Sequence, residues 1–227
     1  YYTPERSIVI VVGDVRPAEI IAALEQRLQA WKGSGKEPST RPSPVPAAPT
    51  VLVIDKPLTQ ANIVLGHAGV SRDNPDWYAL TVMNHILGGG AFSSRLFSSV
   101  RTKGGLAYSI NSGFSATKEP GAFKVGMQTK GESAQEAVAK VREEIAKMRE
   151  TTVSAEELSD AKQYLTGSFP MKFDSNAKIA GLLAQIEFFG LGNDYLDTYK
   201  DRIDAVTAAD VQRVAQKYLS PDDLILV

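Results

Sequence analysis

Gly88-Gly89-Gly90-Ala91-Phe92-Ser93-Ser94-Arg95-Leu96-Phe97-Ser98-Ser99-Val100-Arg101-Thr102-Lys103-Gly104-Gly105-Leu106-Ala107-Tyr108 sets a short apolar pattern between two glycine clusters and then opens a strand. The glycines at 88–90 read as a hinge. Ser93 and Ser94 are residue types that cap a helix, so a helix is expected to start near Ser93. Leu96, Phe97 and Val100 give it an apolar face. Gly104-Gly105 ends it, because glycine accepts the left-handed backbone that closes a helix. From Leu106 to Phe114 the residues Leu106, Tyr108, Ile110, Ser112 and Phe114 alternate with smaller ones, the pattern of a strand. Arg101 then lies on the last turn of a helix and Tyr108 early in the following strand. The glycine turn folds one back towards the other. A guanidinium and a phenol brought together can both donate hydrogen bonds to one carbonyl or oxyanion. Plainer roles exist for both: Arg101 as a helix-end charge, and Tyr108 as a half-buried sheet residue. A phosphate-binding loop is excluded at Gly88–Gly90, since no Gly-Lys-Ser/Thr follows.

Working outward, Asp73-Asn74-Pro75 opens a helix that delivers the glycine hinge, with Leu80, Met83 and Leu87 on one face. Before it, residues 50–55 and 60–70 read as strands around a Lys56-Pro57 turn. After Phe114, a turn near Lys118–Gly121 leads to a strand from Ala122 to Lys130, antiparallel to its predecessor. Residues 132–150 form an amphipathic helix through Ala134, Ala137, Val138, Val141, Ile145 and Met148. Ser154-Ala155-Glu156-Glu157 is a capping box that opens a helix to about Gly167. Asp174 or Ser175 caps another through Phe189, which Gly190 and Gly192 end. Helices at 195–203 and 208–219 follow, the latter capped by Thr207, and residues 222–227 return to the sheet. Strand pairs followed by a run of helices predict an α+β fold, an antiparallel or mixed sheet covered on one side by helices.

At the other end, Ser7–Val12 reads as an apolar strand, and Pro17 opens a helix with Ile20, Ile21, Leu24, Leu28 and Trp31 on one face. Residues 33–49 hold Pro38, Pro42, Pro44, Pro46 and Pro49 and read as an extended linker. Tyr1-Tyr2-Thr3-Pro4-Glu5-Arg6-Ser7-Ile8-Val9-Ile10 aligns without gaps on Tyr218-Leu219-Ser220-Pro221-Asp222-Asp223-Leu224-Ile225-Leu226-Val227. Repeats so far apart point to duplicated units. The expected division is therefore 1–33 as the last strand and helix of a preceding homologous domain, 34–49 as linker, and 50–227 as the domain proper.

Composition narrows the function. A net charge of −1 makes no electrostatic case for nucleic acid or an anionic membrane. No apolar run approaches the length of a membrane span. The absence of cysteine excludes disulfides, thiol catalysis and cysteine metal sites. It leaves the compartment open between bacterial periplasm and cytoplasm. Of the two histidines, His67 precedes Ala68-Gly69-Val70 and His85 precedes Ile86-Leu87-Gly88, so neither has a Glu or His at a zinc-motif offset. Glu143-Glu144 and Glu156-Glu157 lie on helices with good apolar stripes and read as solvated faces. Ser93 and Ser94 have no histidine nearby in sequence, and no Gly-x-Ser-x-Gly elbow occurs.

Leu87-Gly88-Gly89, Ser93-Ser94-Arg95-Leu96-Phe97, Val100-Arg101 and Gly105-Leu106-Ala107-Tyr108 resemble the signature of the second, non-zinc domain of pitrilysin-type metallopeptidases, the family of insulysin and the mitochondrial processing peptidases. The similarity runs from about Thr50 to Val227. It implies the LuxS/MPP-like metallohydrolase fold, with helices layered over a sheet. It implies that Arg101 and Tyr108 bind the substrate backbone at the scissile bond. Gly88, Gly89, Ser94, Arg95, Phe97 and Gly105 would support the segment that presents them. Active domains of the family carry His-x-x-Glu-His, with a later Glu as third zinc ligand. This chain has neither, so the resemblance implies no metal here and zinc in a partner domain or subunit. The expected function is the substrate-binding half of a zinc endopeptidase, inactive alone, with the peptide extended between the halves. The alternative is a structural or assembly subunit without a proteolytic role.

Overall fold

The computed structural model describes residues 3–33, 51–52 and 59–227. The linker at 34–49, the Lys56-Pro57 turn and most of the strand expected at 50–55 lie outside the described residues. The chain divides into two compact units, one of residues 1–56 and 172–188, the other of residues 57–171 and 189–227.

The larger unit is built on four antiparallel strands, β1 (Gln60–Ala68), β2 (Ala107–Ser115), β3 (Ala122–Lys130) and β4 (Ile225–Leu226), in the order β2-β3-β1-β4. Ile63, Leu65, Ile110, Phe123, Val125, Met127 and Thr129 are buried, whereas Asn62, Lys124 and Asn111 are exposed. Side chains alternate along each strand, so this division means one face of the sheet is covered and the other open.

The cover consists of α2 (Trp77–Asn84), α3 (Ala134–Glu150), α4 (Ala155–Gly167), α6 (Tyr195–Asp204) and α7 (Ala208–Tyr218). Helix α7 packs on α2 and α3, and α4 on α6. The expected capping box forms at Ser154 with Glu157 on α4, and the expected Thr207 cap on α7 proves to be a second box, closed by Asp210. Asp76 ties the start of α2 to α7 through Arg213 (2.8 Å), Lys217 (3.0 Å) and the Tyr218 hydroxyl (2.8 Å). Burial alone would raise this carboxyl, but the hydrogen bonds from Arg213, Tyr218 and Lys217 bring it down to about 2.

The smaller unit holds α1 (Pro17–Leu28) and all but the last residue of α5 (Asn176–Phe189). Ser7–Val12 is not a strand here. The segment is extended at Ser7 but pairs with no strand among the described residues, and Ile8, Val9 and Val11 are about half exposed. An extended segment becomes a strand only beside a free sheet edge.

The two ends of the chain share a turn as well as a sequence. Arg6 N–H donates to the Thr3 carbonyl at 3.1 Å, and Asp223 N–H donates to the Ser220 carbonyl at 3.2 Å. These are corresponding residues of the internal echo. Downstream of the second turn, Val227 and Val64 exchange backbone hydrogen bonds of 2.9 and 2.8 Å, which seats the chain end on β1.

Candidate functional site

The glycine-rich stretch is built from two π-helical segments, π1 (His85–Gly89) and π2 (Phe97–Lys103), with a single 3₁₀ turn at Ala91–Ser93 between them. Widened turns of this kind occur often at functional sites. π1 continues α2 and lies against β2. Asn84 Nδ2 donates to the Ser112 carbonyl, and Ser112 Oγ donates back to Asn84 Oδ1 at 2.8 Å. Gly88 is required by this approach, since a Cβ there would lie 2.5 Å from Ser112 Oγ and 2.8 Å from Leu96 Cδ1.

The corner after the hinge differs from expectation. Helical winding begins at Arg95, and neither serine accepts a capping bond. Ser93 and Ser94 hydroxyls instead donate to the carbonyls of Gly90 and Ala91, at 2.9 and 2.8 Å. They are satisfied by the tight turn that precedes the helix, so they close that turn and not the helix. Ala91 sits at φ 46°, in the left-handed region that a non-glycine residue occupies at a cost of about 1–2 kcal/mol. That corner projects Phe92, which is 78% exposed.

Leu96 and Val100 are fully buried and anchor this segment. Arg95 anchors it from the side. Its Nε and Nη2 donate to the two oxygens of Glu157 at 2.7 and 2.9 Å, a bidentate pair. Glu157 also accepts from the Ser154 backbone N–H as part of the capping box. The Arg95 fork outweighs the opposing effect of burial and, with Ser154, holds the Glu157 carboxyl at about 2. Glu157 is thus no solvated carboxylate. Nor is Glu144, which is buried on α3 and paired with Lys147. Lys147 lies one turn along α3 from Glu144, whereas the Arg95 partner of Glu157 comes from a distant part of the chain that a count along the helix does not reveal.

π2 ends at Gly105, whose φ of +62° lets its N–H reach the Arg101 carbonyl and the Leu106 N–H reach that of Val100. The chain then enters β2 through a β-bulge. Ala107 pairs with Thr129 and Ser109 with Gln128, so Tyr108 is an extra residue without a partner. The alternation expected from Leu106 through Phe114 is broken there. Ala107 is buried in place of Tyr108, and Tyr108 is 75% exposed. The bulge turns the phenol out of the sheet pattern and towards the end of π2.

Arg101 and Tyr108 therefore come together. The guanidinium carbon lies 5.8 Å from the Tyr108 ring centre, 4.5 Å from Phe97 and 6.0 Å from Phe92, whose own rings meet edge to face at 4.8 Å. Among the described residues, Arg101 and Tyr108 have no hydrogen-bond or ion-pair partner. Three aromatic rings surround a cation whose donors no described residue uses. Sequence reasoning named Arg101, Tyr108 and Phe97 but missed Phe92, whose only signal is an aromatic residue placed in a glycine corner. It also missed Glu157 as support, since Arg95 and Glu157 are far apart in sequence.

No group of three His, Cys, Asp or Glu among the described residues could hold a metal ion. His85 is buried and stacked on Tyr164, and burial lowers its pKa. His67 Nε2 faces the Ser220 N–H at 3.3 Å. No helix among the described residues is long and apolar enough to cross a membrane.

The chain is 28% identical over 226 residues to an uncharacterized zinc protease of Streptomyces coelicolor, covering 96% of this chain and 49% of that protein. It is 29% identical over 237 residues to the mitochondrial-processing peptidase subunit beta of Blastocladiella emersonii, covering all of this chain and 50% of the relative. The chain spans about half the length of these curated relatives. Among solved structures, a peptidase M16 inactive domain from Pseudomonas fluorescens superposes with a TM-score of 0.80 at 32% identity, over 94% of this chain and 51% of that one. The family model for the peptidase M16 inactive domain matches residues 1–165, and so this chain belongs to the peptidase M16 inactive-domain family.

Proposed function

We propose that this chain is the non-catalytic, substrate-binding half of a zinc-dependent endopeptidase. The observation that carries the reading is the convergence of Arg101 and Tyr108 on an open surface with no protein partner for either head group among the described residues. A scissile carbonyl at that point would accept hydrogen bonds from both. As negative charge develops on its oxygen, a charged and a neutral donor stabilise it more than the ground state. Loss of one oxyanion donor typically costs about 10²–10³ in kcat. β2 is an edge strand, so an extended peptide can run alongside its first residues. Zinc and its water, which activate the nucleophile, belong to a homologous domain or subunit carrying His-x-x-Glu-His. This chain's residues bind and orient the peptide.

The same proposal assigns residues 1–33 to the end of a preceding homologous domain, 34–49 to a linker and 50–227 to the inactive domain. The shared turn at Thr3 and Ser220 supports it, as do the exposed apolar residues of Ser7–Val12. By analogy with the seating of Leu226 on β1, that segment would pair with the first strand of the preceding domain.

The test is reconstitution with a His-x-x-Glu-His partner and an end-blocked, unfolded peptide. Arg101→Ala is expected to lower kcat by about 10² and Tyr108→Phe by less. Unchanged rates in both variants would leave the chain as a structural or assembly subunit.

A further inference from the structure

Two arginines six residues apart in the same glycine-to-strand stretch differ in one respect that points to a ligand. The Arg95 fork is closed by the two oxygens of a carboxylate. The Arg101 fork is open. Its guanidinium lies over Phe97, with Phe92 and Tyr108 within 6.0 Å, and aromatic faces attract its charge without using its N–H donors. A peptide carbonyl offers one neutral oxygen to this fork. A carboxylate offers two charged ones in the plane and at the spacing of the guanidinium nitrogens. The Tyr108 ring, 5.8 Å from the guanidinium carbon, carries one more donor in its hydroxyl. Beside them, Phe92 stands 78% exposed, braced edge to face by Phe97. It forms an apolar shelf with nothing resting on it among the described residues.

We infer that Arg101, Tyr108, Phe92 and Phe97 form a binding site for the free C-terminal carboxylate of a peptide whose last side chain is aromatic or large and aliphatic. The inference rests on the reading of Arg101 as a peptide-binding side chain. The site then acts again once the peptide has been cut. Hydrolysis breaks the C–N bond and forms a C–O bond from water; the amine half takes up a proton, and the acyl half becomes a carboxylate where the carbonyl was held. That carboxylate suits the site better than the carbonyl it replaces. The N-terminal fragment is then a product inhibitor, held through this half of the enzyme.

The experiment is a calorimetric titration of the 227-residue chain with an acetylated tetrapeptide ending in phenylalanine, as the free acid and as the C-terminal amide, and with the free acid ending in alanine. At pH 7 the free acid is expected to bind about tenfold or more tightly than the amide, as a charge-assisted bidentate pair replaces a neutral contact. Its affinity should fall as the carboxyl is protonated near about pH 3.5. Arg101→Gln should bring the acid-to-amide ratio close to one, and Arg101→Lys should leave a reduced ratio. Phe92→Ala should remove the preference for phenylalanine over alanine while keeping the acid preference. Equal affinity for acid and amide, no binding of either at millimolar peptide, or a ratio that survives Arg101→Gln would overturn the inference. Cleavage of an end-blocked peptide by the reconstituted pair does not depend on it. A loss of cleavage in Arg101→Ala together with equal acid and amide affinities would keep the peptide grip and sink the carboxylate site alone.

Discussion

Arg95 and Arg101 share a polypeptide stretch and a side-chain chemistry, yet one is finished and the other is not. Arg95 is spent on Glu157 and belongs to the scaffold. Arg101 is ringed by aromatics and has its donors available. The contrast teaches how to separate a structural cation from a functional one inside a single motif. The structural one has a partner that is itself held in place, here by the Ser154 capping box. The functional one is oriented by apolar surfaces that leave its polar edge unused.

The change that would erase the contrast is Leu96→Ala. Leu96 is fully buried between the two arginines, and its loss is expected to cost about 2–5 kcal/mol. Both arginines would lose their footing. Thermal unfolding should fall by several degrees, and peptide binding should weaken with it. Glu157→Gln tests one side only. It leaves a mostly buried Arg95 without its charge partner, at about 1–2 kcal/mol after allowing for the solvent exposure of the carboxylate. Arg101→Gln should change stability by no more than about 0.5–1 kcal/mol, the scale of an exposed cation–aromatic contact. A denaturant titration should separate the two variants, and equal losses would mean that the two arginines do not differ in role. Gly105→Ala is expected to cost about 1–2 kcal/mol, close to Glu157→Gln and above Arg101→Gln. A Cβ there meets nothing within 4 Å, so only the positive φ is strained.

Acid provides a reading without mutation. Glu157 has its pKa depressed from an ordinary 4.5 to about 2 by the Arg95 fork. A depressed carboxyl contributes stability that is present above its unfolded value and is lost as pH falls through its folded one. The Arg95–Glu157 brace should therefore hold at about pH 5 and weaken between about pH 4.5 and 2. Followed by NMR, the Arg95 Nε–H signal should move with a midpoint near 2, while that of Arg101, which has no carboxylate partner among the described residues, stays still. A midpoint near 4.5 for Arg95 would mean the pair does not hold in solution.

Much of this was legible in the sequence because local chemistry dictated it. Strand Ala122–Lys130, the capping box at Ser154, the Thr207 cap and the glycine stop at Gly105 follow from residues that sit next to one another. The resemblance of the Ser-Arg-Leu-Phe and Gly-Leu-Ala-Tyr segments brought Arg101 and Tyr108 forward. What escaped depends on distant or register-level facts. Glu157 meets Arg95 only in three dimensions. The π-turns and the bulge at Tyr108 carry no residue signature, and the alternation along the strand does not reveal them. Ser7–Val12 has the composition of a strand, but composition cannot supply the neighbour that a strand needs.

The bulge at Tyr108 has an evolutionary corollary. A residue that stands outside the ladder answers to no cross-strand neighbour and fills no space in the interior. Replacing it should barely disturb folding, so this position can be retuned in reach, polarity or bulk while the scaffold beneath is left alone. One inserted residue thus separates the part of the molecule that selection can experiment with from the part it has to preserve.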